Sequence, residues 1–140
     1  MSQHTLTVQA ELEEINRICR LVESSAVEAG FDERSAYAFQ LAVCEACENI
    51  VVHGYGDKAT GKIEALITIE GGELRVELRD TAPPFNPATV EASPPTPPED
   101  PPVGGLGLYI LQKVMDEIHY DRRQGQNRLL LTKRRPEAPD

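Results

Sequence analysis

Prolines are concentrated in one internal segment of this chain. Between Thr81 and Val103 lie nine of the eleven prolines in the sequence. Because proline lacks the backbone N–H that helices and inner strands require, neither element can run through this segment. A loop of this length inside a compact domain is more often a lid or binding segment, although a disordered linker has the same composition. The segment therefore predicts a lid over about residues 81–103.

Before the lid, the hydrophobic pattern predicts a strand, two helices and a hairpin. Polar and apolar residues alternate in the first segment, and apolar residues then recur at helical spacings in two longer ones. Gly30 is a stop signal for the first helix, and Asp32 is a suitable N-cap for the second. Gly71-Gly72 is a typical hairpin turn. The predicted elements are a strand over 5–10, helices over 11–29 and 33–53, and strands over 63–69 and 74–78.

After the lid, GGLGLYILQKVMDEI restores a helical pattern that extends to Ile118. Strands are predicted over 118–123 and 128–133, with a turn over 124–127. The short connections between paired strands favour antiparallel pairing. The predicted fold class is therefore α+β: a two-layer sandwich of a mostly antiparallel sheet of about five strands, with helices on one face and the proline-rich lid.

Length and charge limit the class of protein. The 140 residues fit one domain, predicted over 1–135, followed by a frayed tail over 136–140. Twenty-three acidic and 14 basic residues give a net charge of −9, which repels phosphate backbones, so nucleic acid is not an expected partner. The chain has no apolar run long enough to span a membrane and no apolar leader, which predicts a cytoplasmic protein without membrane contact.

Three cysteines, an odd number, argue against a disulfide framework, and we predict that they are reduced thiols. Cys44-x-x-Cys47, with His53 nearby, is an alternative redox or zinc motif. Its position in the middle of a helix and the lack of a second cysteine pair argue against that interpretation.

Glu45 and Asn49 stand four residues apart on the second predicted helix, so their side chains project from one face. A carboxylate and an amide oxygen at this spacing can share a hard cation such as Mg²⁺ and position a nucleophile. An exposed polar helix face has the same pattern, and for the pair alone it is the favoured interpretation.

Two further segments can contact a ligand. Gly104, Gly105 and Gly107 lie at the start of the third predicted helix, where bare N–H groups and the positive helix end can face a phosphate. A simple hinge explains the same glycines. Asp80 ends the second hairpin strand, where its carboxylate can accept a hydrogen bond from an exocyclic amine, and the small Ala82 permits close approach. An ordinary strand-ending aspartate is the alternative.

Together, three segments resemble the N, G1 and G2 boxes of the GHKL (Bergerat-fold) ATPases. They are LAVCEACENIVVHGYG, LRDTAPPFNP and GGLGLYILQKVMDEIHY. Within that superfamily the chain resembles the RsbW-like anti-sigma factors and serine/threonine kinases over roughly residues 5–134. The three boxes in order are more specific than any one of them.

The resemblance implies ATP and Mg²⁺ as cofactors and gives each matching residue a role. Asn49 matches the Mg²⁺ ligand, Glu45 matches the base that accepts the proton of the attacking hydroxyl, and Asp80 matches the carboxylate that reads the adenine amine. The other residues implied to bind the nucleotide are Ala82, Gly104, Gly105, Leu106, Gly107 and Leu108. The implied activity is that of an anti-sigma factor that phosphorylates a STAS-domain antagonist. A sigma factor and that antagonist are the implied partners, and a homodimer is consistent with the family.

Some residues depart from the family pattern. Ala82 stands where the G1 box usually has glycine, and Asn127 stands near a position where many members carry threonine, so we assign it no contact. The lid residues 91–103 include three acids and neither lysine nor arginine, so they cannot neutralise a γ-phosphate as an arginine finger does. The acidic, proline-rich lid leaves open an alternative function, in which the protein binds ATP or no nucleotide and sequesters a protein partner without kinase turnover.

Overall fold

A computed structural model describes residues 1–56, 61–83 and 106–136, with the backbone alone for residues 106–108. The described residues form a five-stranded sheet in the order β1-β2-β3-β5-β4, in which every neighbouring pair is antiparallel. The elements are β1 Ser2–Gln9, α1 Leu12–Glu28, α2 Glu33–Asn49, a π-helical turn Ile50–Gly54, β2 Lys62–Glu70, β3 Glu73–Asp80, α3 Leu106–Val114, β4 Glu117–Arg123 and β5 Gln126–Arg134. The predicted α+β class is confirmed.

One face of the sheet carries the hydrophobic core. Residues along β2 and β3 alternate between buried and partly exposed, and the buried set packs in one cluster with apolar side chains of all three helices. The largest fully buried side chains include Ile18, Phe39, Ile67, Leu78 and Leu111. The helices therefore cover one face, as the sequence predicts, and the core positions of β3 point towards them.

Two tight turns set the register of the sheet. Gly71 and Gly72 have φ values of 58° and 81°, which a two-residue turn between β2 and β3 requires. Gln124 and Gly125, at 52° and 76°, make the corresponding turn between β4 and β5. The turn predicted over 124–127 is therefore too long, because its last two residues already belong to β5.

The second helix begins as the sequence predicts and ends in a different geometry. The Asp32 side chain accepts a hydrogen bond from the Ser35 backbone N–H at 2.7 Å, which caps α2. After Asn49 the backbone widens into the π-helical turn, where the Tyr55 N–H donates to the Ile50 carbonyl at 2.8 Å. Such turns are frequent at functional sites.

The third helix is shorter than predicted. The helical pattern extends to Ile118, but α3 ends at Val114 and Ile118 lies in β4. The Asp116 N–H donates to the Thr132 carbonyl of β5 at 2.9 Å, so pairing with the sheet replaces the next helical turn. Of the predicted lid, residues 84–103 lie outside the described residues, as do residues 137–140 of the predicted tail.

The prediction of three reduced thiols is wrong for two of them. Cys19 on α1 and Cys44 on α2 form a disulfide, with their Cα atoms 5.7 Å apart. Their separation of 25 residues in sequence does not reveal that the two helices bring them face to face. Cys47 is free and buried. None of the described helices is long and apolar enough to span a membrane.

Candidate functional site

Asp80 occupies the end of β3, on the face that the helices cover. Only 7% of the residue is exposed. Its Oδ1 accepts hydrogen bonds from the Ala82 backbone N–H at 2.9 Å and from Asn127 Nδ2 at 2.8 Å. Burial raises the pKa of the Asp80 carboxyl, and these two bonds and the charge of Arg122 oppose that rise. The result is a buried carboxylate fixed through one of its two oxygens.

Asn127 links Asp80 to the turn that follows it. In the register of the two central strands, Asn127 of β5 pairs with Asp80 of β3. Its Nδ2 donates to both Asp80 Oδ1 and the Ala82 carbonyl, each at 2.8 Å. Tyr120 and Arg122 of β4 donate to its Oδ1. No contact is predicted for Asn127 from the sequence, yet Asn127 is the centre of this hydrogen-bond network.

Ala82 is accommodated by the turn that ends α2. Ala82 is 2% exposed, and a Cβ built on Gly54 would lie 2.9 Å from the Ala82 Cβ. The Ala82 methyl group therefore faces Gly54, whose lack of a side chain gives it room. This contact explains how a G1 segment with alanine in place of glycine fits this fold.

The Tyr55 hydroxyl forms hydrogen bonds with the chain at the start of the predicted lid. The Thr81 backbone N–H donates to the Tyr55 hydroxyl at 2.9 Å, and that hydroxyl donates to the Lys62 carbonyl at 3.0 Å. Gly61 must be glycine here, because a Cβ would collide with the Tyr55 ring. The HGYG segment after α2 thus holds the ends of both hairpin strands.

Helix α2 presents Glu45 and Asn49 as the sequence predicts, but in different environments. Glu45 is partly exposed, whereas Asn49 is 8% exposed. Burial, with a smaller effect from the charge of Glu48, raises the pKa of Glu45. A carboxylate whose pKa moves towards neutrality is a better general base than a fully solvated one. The exposed polar face proposed as the alternative does not describe Asn49.

The side-chain amide of Asn49 is available to contact a bound group. Its Nδ2 is buried and has no hydrogen-bond partner among the described residues. A buried amide without a partner costs free energy. The same amide carries an oxygen, the ligand type that a hard cation prefers. A single amide oxygen is compatible only with a Mg²⁺ ion that takes most of its ligands from phosphates and water.

The helix that follows the lid is only partly described. Leu106, Gly107 and Leu108 form the first turn of α3, and α3 packs against α2. Gly104 and Gly105 lie outside the described residues. The part of the predicted phosphate-binding segment that is described therefore lies at a helix N-terminus next to the helix that carries Glu45 and Asn49.

The redox or zinc interpretation of Cys44-x-x-Cys47 is wrong, because the Cys44 sulfur is bonded to Cys19. Burial and nearby negative charges, including that of Asp80, raise the pKa of Cys47 to about 12, so its thiol stays protonated and inert. Within residues 1–56, 61–83 and 106–136, no group of three or more His, Cys, Asp or Glu side chains is placed to hold a metal ion.

Two side chains of β4 take part in the hydrogen-bond network around Asp80, and the sequence did not predict them. Tyr120 and Arg122 stand two residues apart, on the same face as the half-buried Ile118. Polar residues at inward positions of a strand are a signal that could have identified them. That signal is weak in DRRQGQNR, where every residue except Gly125 has a polar side chain.

The chain is similar in sequence to known proteins. The family described as "Histidine kinase-like ATPase domain" matches residues 8–133. A protein of Bacillus mycoides named "Serine-protein kinase RsbW" is 30% identical over 116 residues, which cover 75% of this chain and 71% of that protein. Its namesake in Bacillus subtilis is 26% identical over 125 residues, which cover 86% and 78%.

A solved structure shares the fold. The crystal structure of the RsbU and RsbW domains of a Mycobacterium tuberculosis protein matches with a TM-score of 0.65 and 20% identity. The match covers 96% of the present chain and 32% of that longer one. The chain thus spans about a third of the solved protein, and this likeness shows the fold alone.

Proposed function

Since the chain belongs to the histidine kinase-like ATPase domain family, we propose that it is an ATP-binding protein serine/threonine kinase that acts as an anti-sigma factor. In this proposal its substrate is an antagonist of the STAS-domain type and its other partner is a sigma factor. The observation that carries the proposal is the Asp80 carboxylate, buried and held through Oδ1 beside the start of the predicted lid. The names of the RsbW relatives support the kinase reaction.

Each proposed role follows from the environment of a side chain. Asp80 accepts a hydrogen bond from the 6-amino group of adenine. Asn49 supplies an amide oxygen for Mg²⁺, which when bound offsets the negative charge of the phosphates. Glu45 takes the proton of the attacking hydroxyl, and its raised pKa suits it to that step. The glycine segment at 104–107 holds the phosphates through backbone N–H groups.

Calorimetric titration with ATP and ADP, with and without Mg²⁺, tests the nucleotide site. We expect Mg²⁺-dependent binding in the micromolar range, about −8 kcal/mol. Asp80→Asn should weaken ATP binding by roughly 1–3 kcal/mol, because a charged hydrogen-bond partner is lost. The matched control is Asp121→Asn, which changes an exposed aspartate of β4 paired with Arg128. Equal affinity of Asp80→Asn and the parent protein would remove Asp80 from the site.

Phosphate transfer tests the role of Glu45. Glu45→Gln should abolish transfer from labelled ATP to purified STAS-domain antagonists of the source organism and should preserve ATP affinity. Transfer by the parent protein should fall as the pH falls through the pKa of Glu45, which lies above that of an ordinary carboxyl group. Glu48→Gln removes a charge that raises this pKa, so it should keep transfer and extend it to lower pH. Transfer by Glu45→Gln at the parent rate would contradict the assignment.

One observation favours the second candidate, a partner-sequestering module without turnover. The lid residues 91–103 carry three acids and no basic residue. Under this alternative, the protein binds a sigma factor or an antagonist but leaves the antagonist unphosphorylated in the presence of ATP and Mg²⁺. Mass spectrometry of the antagonist recovered from the complex distinguishes the two functions, since a phosphoryl group adds about 80 Da to the antagonist.

A further inference from the structure

Arg122 reaches from the edge strand β4 to the turn that follows β3. Its Nη1 group donates to the Ala82 carbonyl at 2.9 Å and to Asn127 Oδ1 at 2.7 Å. A guanidinium Nη group carries two hydrogens, so it can make both bonds at once. One side chain thereby connects strands β4 and β5 with a turn 40 residues earlier in the sequence.

These bonds determine which way the Asn127 amide points. Asn127 Oδ1 accepts hydrogen bonds from both Arg122 and the Tyr120 hydroxyl. A guanidinium group cannot accept a hydrogen bond, so the amide atom facing Arg122 must be the oxygen. The Nδ2 group is then directed at Asp80 Oδ1 and the Ala82 carbonyl, each at 2.8 Å.

The orientation of Asp80 depends on both partners that Arg122 holds. The Ala82 N–H and Asn127 Nδ2 both donate to Asp80 Oδ1, which fixes the plane of the carboxylate. Arg122 donates to the Ala82 carbonyl and the Asn127 oxygen, and within the described part of the chain it makes no hydrogen bond to Asp80. Its influence on the geometry of Asp80 is therefore exerted through two intermediaries.

We propose that Arg122 is a positioning residue for recognition of the 6-amino group of a purine nucleotide, because it fixes the orientation of the Asp80 carboxylate through Ala82 and Asn127. The inference rests on the proposed nucleotide site. Arg122 contacts neither the base nor the phosphates in this scheme. Loss of the Arg122 guanidinium group should therefore lower the selectivity for the 6-amino group more than it lowers the affinity for nucleotides in general.

The test compares ATP with purine riboside triphosphate, which lacks the 6-amino group, by calorimetric titration at one pH and one Mg²⁺ concentration. The parent protein should bind ATP more tightly than the analogue. Arg122→Met should weaken ATP binding by about tenfold, the order of one charge-assisted hydrogen bond, and should leave affinity for the analogue nearly unchanged. Tyr120→Phe, which removes the other donor to Asn127 Oδ1, should reduce the selectivity in the same direction by less.

The matched control is Arg123→Met, the same substitution at the next residue of β4, which points to the opposite face of the sheet. It should keep the selectivity of the parent protein. Thermal unfolding of every variant establishes that it is folded. An Arg122→Met protein that keeps the parent ratio, or that loses affinity equally for both nucleotides, overturns the inference alone. A parent protein that binds neither nucleotide overturns the proposed function together with it.

Discussion

The methyl group of Ala82 and the bare Cα of Gly54 form a pair that joins two distant segments. Ala82 lies in the turn after β3, and Gly54 ends the turn after α2. Ala82 stands where the family usually has glycine. Because its side chain faces Gly54, the interior has room for the added methyl group. Proper packing of the Asp80 turn therefore depends on a residue far outside the G1 segment.

We expect Gly54→Ala to lower the free energy of unfolding by roughly 1–3 kcal/mol, because the added methyl group overpacks against Ala82. Ala82→Gly should relieve most of that loss in the double variant. A double-mutant cycle by urea denaturation measures the coupling, with Ala82→Gly alone as the control. Additive effects of the two substitutions would show that the side chains do not share this space.

The family resemblance selected Asp80 and Asn49, and both residues prove to be buried. Their binding roles stay predictions, and the hydrogen bonds that support Asp80 were not predicted. Arg122 acts through the register of two strand pairs, β3 with β5 and β5 with β4. That register is a property of the assembled sheet, and no local pattern in the sequence encodes it.

At the scale of elements, the Cys19–Cys44 disulfide joins α1 to α2 next to Glu45. It closes a loop over a separation of 25 residues, which by chain entropy stabilises a fold by about 3.5 kcal/mol. The link also restrains the helix that carries the proposed base.

A reductant should lower the melting temperature of the parent protein and have no effect on Cys19→Ala, which lacks the bridge. The free energy of unfolding of Cys19→Ala should be lower by roughly 2–4 kcal/mol. A thiol titration of the denatured protein, purified without reductant, should detect one thiol for each chain, that of Cys47. Detection of three thiols would show that the bridge is absent in solution.

Element boundaries show where hydrophobic spacing stops being informative. The second helix was predicted to extend to about residue 53, and the chain does remain helical there, but in π geometry after Asn49. Apolar spacing cannot distinguish an i→i+4 from an i→i+5 hydrogen bond at a helix end. The predicted third helix extends too far for a related reason. Ile118 continues the helical spacing of apolar residues, although it lies in β4.

At the scale of the whole molecule, alternation and turn residues were sufficient to predict the element order and the single helical layer. They did not predict the strand order β1-β2-β3-β5-β4, because the β3–β5 pairing joins segments on either side of the proline-rich stretch. The homodimer implied by the family resemblance stays a prediction.

The central position of the β3–β5 pair has a consequence for the growing chain. On the ribosome, β3 emerges well before β5, and until β5 arrives the edge of β3 that pairs with β5 is open. Asp80 meets Asn127 only after β5 has been made. A nascent chain stopped at the prolines would therefore lack the Asn127–Asp80 hydrogen bond, on which the proposed adenine contact depends.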